Sequence, residues 1–334
     1  MKTALRQATI NSALTASALV LATLSNVAVA DPVTQWGYST DSTFSNTSWD
    51  GPPGNGGFGN PGQQTTSAYE LSWGRQGANF QTDTGNANTN RSALTIGNAV
   101  TGTTTGGGPA TGTVNTTIGG TPNPLLGQIG TGISITHWNN PISSSYGTLT
   151  GARITDTLTL NPLLPSYYTT SVSAPTLQFN FLFQETANAG AYGAGGFGNA
   201  GSGYCADGSI GGNCADLFGF SNTLTLNNAF SYIDSGADGI LGNADDFNRT
   251  YYASVFVLDE SNQAFPLSQL TSKECQALGL GTSCYGFRTA EAAHTTAKFA
   301  FAITTEPFSV PEPGSLALLG TALLGLGSLR RRKS

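Results

Sequence analysis

Six short runs with alternating or β-branched residues constrain the fold of this chain most strongly. Apolar side chains recur at every second position in RITDTLTL (153–160) and TLQFNFLF (176–183), and Pro, Gly and Asn clusters separate the runs. Such alternation is typical of strands that bury one face. The other runs are GISITHW (132–138), TLTLNNAFSYI (223–233), YYASVFVL (251–258) and KFAFAIT (298–304). The sequence therefore predicts an all-β fold, an antiparallel β-sandwich or jelly-roll-like domain.

Weaker strand patterns at 35–38, 69–73 and 92–96 lie in the first part of the chain, where Gly, Asn, Thr and Ser are abundant. Three glycine-rich insertions interrupt the pattern, at 51–62, 101–120 and 189–203. Segments of this composition bury little apolar surface, so we expect loops there.

One segment departs from the strand pattern. In 267–278 the apolar side chains have helical spacing, at Leu267, Leu270, Cys275 and Leu278, and Gly279 follows where a helix would end. This arrangement predicts one short helix near 267–278.

The first 30 residues have the form of a secretory signal peptide. Lys2 and Arg6 precede an apolar stretch at 13–24, and Ala28-Val29-Ala30 provides a small-x-small cleavage site before Asp31. The sequence thus predicts a signal peptide at 1–30 and an exported domain at 31–309.

The C-terminal segment predicts a membrane helix at 315–329 with a basic tail at 330–333. Residues 315–329 carry no charge, and Arg330, Arg331, Arg332 and Lys333 follow them. The run is shorter than the ~20 residues of a typical span, but a basic cluster after an apolar run favours the cytoplasmic side. Two prolines, Pro311 and Pro313, keep the preceding segment extended.

This layout, with Val310-Pro311-Glu312-Pro313 before the apolar run and the arginine cluster after it, resembles the PEP-CTERM sorting signal of Gram-negative bacteria. The resemblance implies that 310–334 is a sorting signal, that an exosortase cuts near the PEP motif, and that the inner membrane holds the chain transiently. It also implies delivery to the cell surface or extracellular matrix, commonly in species that make extracellular polysaccharide. An ordinary tail anchor is the alternative.

The charge of the exported region argues against nucleic acid as a partner. Of the 13 basic residues six lie in the two ends, and of the 19 acidic residues only Glu312 does, so the region between has a net charge near −11. An acidic surface of this kind repels phosphate backbones.

The four cysteines predict two local disulfides. Cys205 and Cys214 enclose eight residues, and so do Cys275 and Cys284. Because export leads to an oxidising compartment, pairing within each couple is favoured over the other connectivities. A metal site is the competing interpretation, although the spacing differs from that of zinc fingers.

The segment 234–246 has partial calcium-loop character. Counted as a twelve-residue loop, it places Asp234, Asp238 and Asp245 at positions 1, 5 and 12, with Gly239 at position 6 and the Ile240 carbonyl at position 7. Calcium is therefore the one cofactor that the sequence suggests. The alternative is a polar connection between two strands of a hairpin.

Thr136, His137 and Asn139 end a predicted strand beside Trp138. No nucleophile, carboxylate or second histidine accompanies His137 at motif spacing, which favours a strand-end role over catalysis. This stretch nevertheless resembles the Thr-His-x-Asn signature of the THxN family of PEP-CTERM proteins. The resemblance extends through the segments at 71–74, 185–188, 214–216 and 284–291 and Cys275, and it implies an exported β protein without a known activity.

Three functions fit these features. The favoured one is a non-catalytic matrix or cell-surface protein, sorted through its tail. The alternative is a module that binds extracellular polysaccharide, with or without calcium, through aromatic side chains such as the four tryptophans. A secreted hydrolase would need two convergent titratable groups, and the sequence does not reveal such a pair.

Overall fold

The computed structural model describes residues 30–57, 59–168, 170–186, 214–220, 226–236, 238–243, 245–258, 264–265 and 270–308. Within these ranges the regular secondary structure consists of β-strands, one short α-helix and one 3-10 turn. The strands are β1 Gln35–Trp49, β2 Gly62–Thr66, β3 Glu70–Arg75, β4 Arg91–Asn98, β5 Ala110–Asn115, β6 Gly130–Asn139, β7 Leu149–Leu164, β8 Val172–Ser173, β9 Leu177–Gln184, β10 Asp216–Phe220, β11 Asn228–Asp234, β12 Phe247–Leu258, β13 Ala264–Phe265, β14 Tyr285–Thr289 and β15 Ala293–Thr304. The helix α1 is Ser272–Ala277, and the 3-10 turn is Pro124–Leu126.

The strands form two antiparallel sheets. The first has the order β14-β10-β9-β7-β1-β5, with β8 paired to β7. The second has the order β11-β12-β15-β6-β4-β3-β2, with β13 paired to β12. The all-β antiparallel sandwich predicted from the alternating runs is thus confirmed.

The core lies between the two sheets and consists largely of aromatic and branched side chains from both. On β9 the alternation is complete, since Leu177, Phe179, Phe181 and Phe183 are buried. Contacts such as that between the rings of Tyr38 on β1 and Phe301 on β15, with centroids 4.8 Å apart, join the sheets. Side chains that alternate across a strand place every second residue in this layer.

The predicted helix is present in a shorter form. It begins after Thr271, whose hydroxyl accepts from the Glu274 N–H while the Glu274 carboxylate accepts from the Thr271 N–H, a capping box. Gly279 follows it with φ +74°, the left-handed conformation expected after a helix. Residues 266–269 lie outside the described part, and Leu270 and Thr271 precede the first turn of the helix.

The Cys275–Cys284 disulfide is confirmed, and it anchors this helix. The two cysteines pack with Leu217, Leu270 and Leu278 in a small second core beneath β10. Cys214 is also disulfide-bonded. Its predicted partner, Cys205, lies outside the described residues.

No helix within the described ranges has the length and apolarity needed to cross a membrane. The predicted signal peptide before Ala30 and the predicted membrane helix at 315–329 both fall outside those ranges.

Candidate functional site

The inward-facing side chains of several strands change from apolar to polar at one end of the sandwich. On β6 the buried Ile135 is followed two positions later by His137, which is 1% exposed. On β10 the inward positions run from Phe218 back to Asp216, which is also 1% exposed. The side chains that share this polar end include Glu185 after β9, Thr289 on β14 and Glu291 in the β14–β15 turn. We call His137, Glu185, Asp216 and Glu291 the His–carboxyl cluster.

His137 is held between aromatic rings and faces a carboxyl group. Its ring stacks on Trp73, with centroids 6.2 Å apart and an interplanar angle of 17°, and it meets Phe183 edge-on at 5.0 Å. Its Nε2 lies 3.6 Å from Oδ2 of Asp216. The first sheet supplies Asp216 and the second supplies His137, so the cluster bridges the two sheets.

The carboxyl groups of Glu185 and Asp216 are fixed by hydrogen bonds on one side only. Trp73 donates its indole N–H to Oε2 of Glu185 at 3.0 Å. Oδ1 of Asp216 accepts from the backbone N–H of Thr186 at 2.7 Å and from the Thr186 hydroxyl at 3.1 Å. The second oxygen of each carboxyl group is left facing the cluster.

Burial shifts the titration of every member of the cluster. It lowers the pKa of His137 to about 3, so the imidazole is neutral at physiological pH. Burial raises the pKa of Glu185 and of Asp216 well above the usual range, and the charge of Glu291 raises both further. Burial raises the pKa of Glu291 to about 7, although the Asn139 side chain beside it opposes this shift.

Several buried polar atoms of this region have no hydrogen-bond partner. They are Nε2 of His137, Oδ2 of Asp216, Oε1 of Glu185, both carboxyl oxygens of Glu291 and Oδ1 of Asn139. Buried polar groups in folded proteins are nearly always satisfied, so a concentration of unsatisfied acceptors at one point requires a physical reason. A bound ligand is one such reason.

A cleft of about 620 Å³ leads to the cluster. Glu185 and Thr186 line it, and the same two residues contact Trp73 and Asp216 behind it. The remaining lining is Asp50, Ala87, Asn88, Ile142, Ser143, Ser144, Tyr146, Thr148 and Gln184. Seven of the eleven lining residues carry a hydroxyl or amide group, and two, Asp50 and Glu185, carry a carboxyl group.

Comparison with protein families identifies the C-terminal segment. Residues 309–333 match the PEP-CTERM protein-sorting motif. This motif indicates an exported protein that an exosortase sorts. The comparison with curated proteins gives no significant match. The THxN assignment stays a prediction, and the predicted motif residues Val310, Pro311, Glu312, Pro313, Arg330, Arg331 and Arg332 lie outside the described part of the structure.

The three signature residues have different roles in the strand. Thr136 points to the opposite face, where its hydroxyl lies 2.8 Å from that of Thr296. Asn139 shares the face of His137 and donates through Nδ2 to the Thr289 carbonyl at 3.0 Å. The sequence predicts that the side chain of His137 satisfies local backbone groups at the strand end. In the structure its Nε2 faces the Asp216 carboxyl group instead.

Two acidic residues of the predicted calcium loop, Asp234 and Asp238, have other partners in the structure. Asp234 is fully buried and accepts from Nε of Arg249 at 2.5 Å and from the Tyr251 hydroxyl at 3.0 Å. Asp238 accepts from the Ile240 N–H and from Asn243. The segment connects β11 and β12 as a hairpin, which was the alternative interpretation. Calcium binding by Asp234, Asp238, Ile240 and Asp245 stays a prediction.

Sequence reasoning did not select Glu185, Asp216 or Glu291 as a site. Each lies in one of the segments that carry the THxN resemblance, and that was the available signal. The four tryptophans do not form an exposed row, because Trp36 and Trp73 are fully buried in the core.

Proposed function

We propose that this chain is an exported, non-catalytic protein of the cell surface or extracellular matrix, processed by an exosortase near Pro311-Glu312-Pro313. The observation that carries the proposal is the match of residues 309–333 to the sorting motif. The signal-peptide pattern at the N-terminus and the disulfide between Cys275 and Cys284 support an extracellular destination.

The burial of the titratable groups supports a non-catalytic role. A general acid or base must reach the substrate within hydrogen-bond distance. His137 and Asp216 are each 1% exposed, and the cleft reaches the cluster through Glu185. The imidazole, whose pKa burial lowers to about 3, is a poor base near neutral pH.

The sorting step predicts a defined effect of changing the motif. Replacing Glu312 and Pro313 with Ala should block processing, because the exosortase would no longer recognise its site. We expect the unprocessed protein, still carrying the tail, to accumulate in the membrane fraction. The same result is expected for the unchanged chain in cells that lack the exosortase. Immunoblotting of fractionated cells with an epitope tag in the exported region measures both.

The chain offers a matched control, since Glu306-Pro307 is the same dipeptide six positions upstream. Replacing Glu306 and Pro307 with Ala should leave processing unchanged. Normal surface delivery of the Glu312→Ala, Pro313→Ala variant, or of the unchanged protein in the deletion strain, would refute the sorting proposal.

A second candidate function is the binding of extracellular polysaccharide in the cleft. The observation that favours it is the lining of hydroxyl and amide groups, which form the polar contacts that fix a sugar. Ser144 lines the cleft, whereas its neighbour Ser145 is not part of the lining. We expect Ser144→Trp, which fills the cleft, to weaken binding at least about tenfold, a change of about 1.4 kcal/mol.

Affinity electrophoresis in gels containing the polysaccharide of the producing cells measures this binding. Ser145→Trp is the control and should migrate as the unchanged protein does. If the unchanged protein is not retarded, or if both variants are retarded equally, the cleft is not a polysaccharide site.

A further inference from the structure

The unsatisfied atoms of the His–carboxyl cluster consist of acceptors and one imidazole nitrogen. Three carboxyl groups lie together beside the imidazole of His137. Each carboxyl group of the cluster has at least one oxygen without a hydrogen-bond partner. Buried carboxyl groups in proteins are normally paired or coordinate metals.

We propose that His137, Asp216, Glu185 and Glu291 bind a divalent transition-metal ion, Zn²⁺ or Mn²⁺, in the buried cluster behind the cleft. This inference goes beyond the sorting proposal and does not depend on it.

The geometry of the first two ligands fits one shared ion. Two donor atoms that each lie ~2.1 Å from a metal, at angles between tetrahedral and trigonal, are separated by ~3.4–3.7 Å. Nε2 of His137 and Oδ2 of Asp216 are 3.6 Å apart, and neither has a hydrogen-bond partner. Both side chains are fixed from behind, His137 by Trp73 and Asp216 by the two hydrogen bonds from Thr186.

The remaining ligands have to move into place. Within the described residues, no three His, Cys, Asp or Glu side chains already form a group that could hold a metal. Glu291 lies beside the Asn139 side chain, and neither of its carboxyl oxygens has a partner at normal hydrogen-bond geometry. Glu185 is held through Oε2 by Trp73, and its other oxygen faces the cluster that contains Asp216. We therefore expect metal binding to close the cluster.

The donor types decide between metals. An imidazole nitrogen suits Zn²⁺ and other transition metals, whereas Ca²⁺ and Mg²⁺ prefer sites made only of oxygen. A mixed set of one imidazole and carboxylates therefore favours Zn²⁺ or Mn²⁺. Calcium binding, where it occurs, is expected at other residues.

The test is direct metal binding to the full exported protein after treatment with a chelator. Isothermal titration at mildly alkaline pH, where ligands lose their protons more readily, should show one ion of Zn²⁺ or Mn²⁺ per chain. His137→Gln and Asp216→Asn should each weaken the affinity about a hundredfold. Loss of an outer-shell partner already costs ~10–100-fold, and loss of a direct ligand should cost at least as much. X-ray absorption of the bound metal should show one imidazole.

Two substitutions elsewhere serve as controls. His294→Gln changes the other histidine of the chain, which is exposed on β15, and Asp238→Asn changes the predicted calcium loop. Neither should alter Zn²⁺ or Mn²⁺ binding.

Three outcomes would each overturn the proposal. They are the absence of binding by the unchanged protein, a metal shell without imidazole, and equal affinity of a folded His137→Gln variant. If His137→Gln and Asp216→Asn fail to fold, the absorption spectrum of the unchanged protein alone decides.

Discussion

Replacing Arg249 with Met is expected to destabilise the protein by about 3–5 kcal/mol at neutral pH, because it leaves a buried carboxylate without its cation. Asp234 is fully buried, and its closest partner is Nε of Arg249 at 2.5 Å. The substitution therefore removes the counter-charge of Asp234.

The same substitution should make stability depend on pH in a defined direction. Burial already raises the pKa of Asp234, and the hydrogen bonds and charge of Arg249 oppose that shift. Without Arg249 the folded-state pKa rises further above the unfolded value. A raised folded-state pKa gives stability that is complete at acid pH and lost as the pH rises through it. The loss caused by Arg249→Met should thus be small near pH ~4 and largest above neutrality.

Urea unfolding at a series of pH values measures this prediction. Arg153→Met is the matched control, since Arg153 is a partly exposed partner of the Asn180 side chain, which is uncharged. We expect it to change the free energy of unfolding by less than about 0.5 kcal/mol at every pH. A loss for Arg249→Met that equals the loss for Arg153→Met would show that Asp234 does not depend on this ion pair.

The fold could be predicted because its signal is local. The alternation of apolar and polar residues in β7 and β9 predicts which side chains enter the core. The glycine-rich segments predict where the strands end. The pairing order could not be predicted in the same way. The strand β6 lies between β15 and β4, which are far from each other in sequence, and no local pattern records that neighbourhood.

The candidate site could not be predicted either, because its residues are also far apart in sequence. His137, Glu185, Asp216 and Glu291 are separated by tens of residues, and they come together because their strands end at the same edge of the sandwich. In sequence each is a lone polar residue next to an apolar run. The calcium loop shows the opposite case, because its spacing is regular while Asp234, the last residue of β11, faces Arg249. Spacing along the chain did not indicate the direction of that side chain.

Trp73 connects the core to the candidate site, and its replacement by Ala is expected to destabilise the protein by about 3–5 kcal/mol. Its side chain is fully buried and contacts Trp49, His137 and Phe183. Loss of the indole removes the surface on which the His137 ring stacks. It also removes the donor to Glu185, so a buried acceptor loses its partner.

Trp73→Phe keeps an aromatic ring beside His137, and it removes the N–H group together with part of the indole surface. We expect the free energy of unfolding to fall by about 1–3 kcal/mol, the penalty for a buried acceptor left unsatisfied.

Trp138 provides the matched control. It is partly exposed, and it donates to the Thr95 hydroxyl at 2.9 Å on the other face of the same sheet. Trp138→Ala should lose only about 1–2 kcal/mol, since less apolar surface returns to water. Urea unfolding of the four proteins gives the comparison. If Trp73→Ala were no more harmful than Trp138→Ala, the polar end of the sandwich would not depend on packing from the core, and the cluster would be held by its own hydrogen bonds.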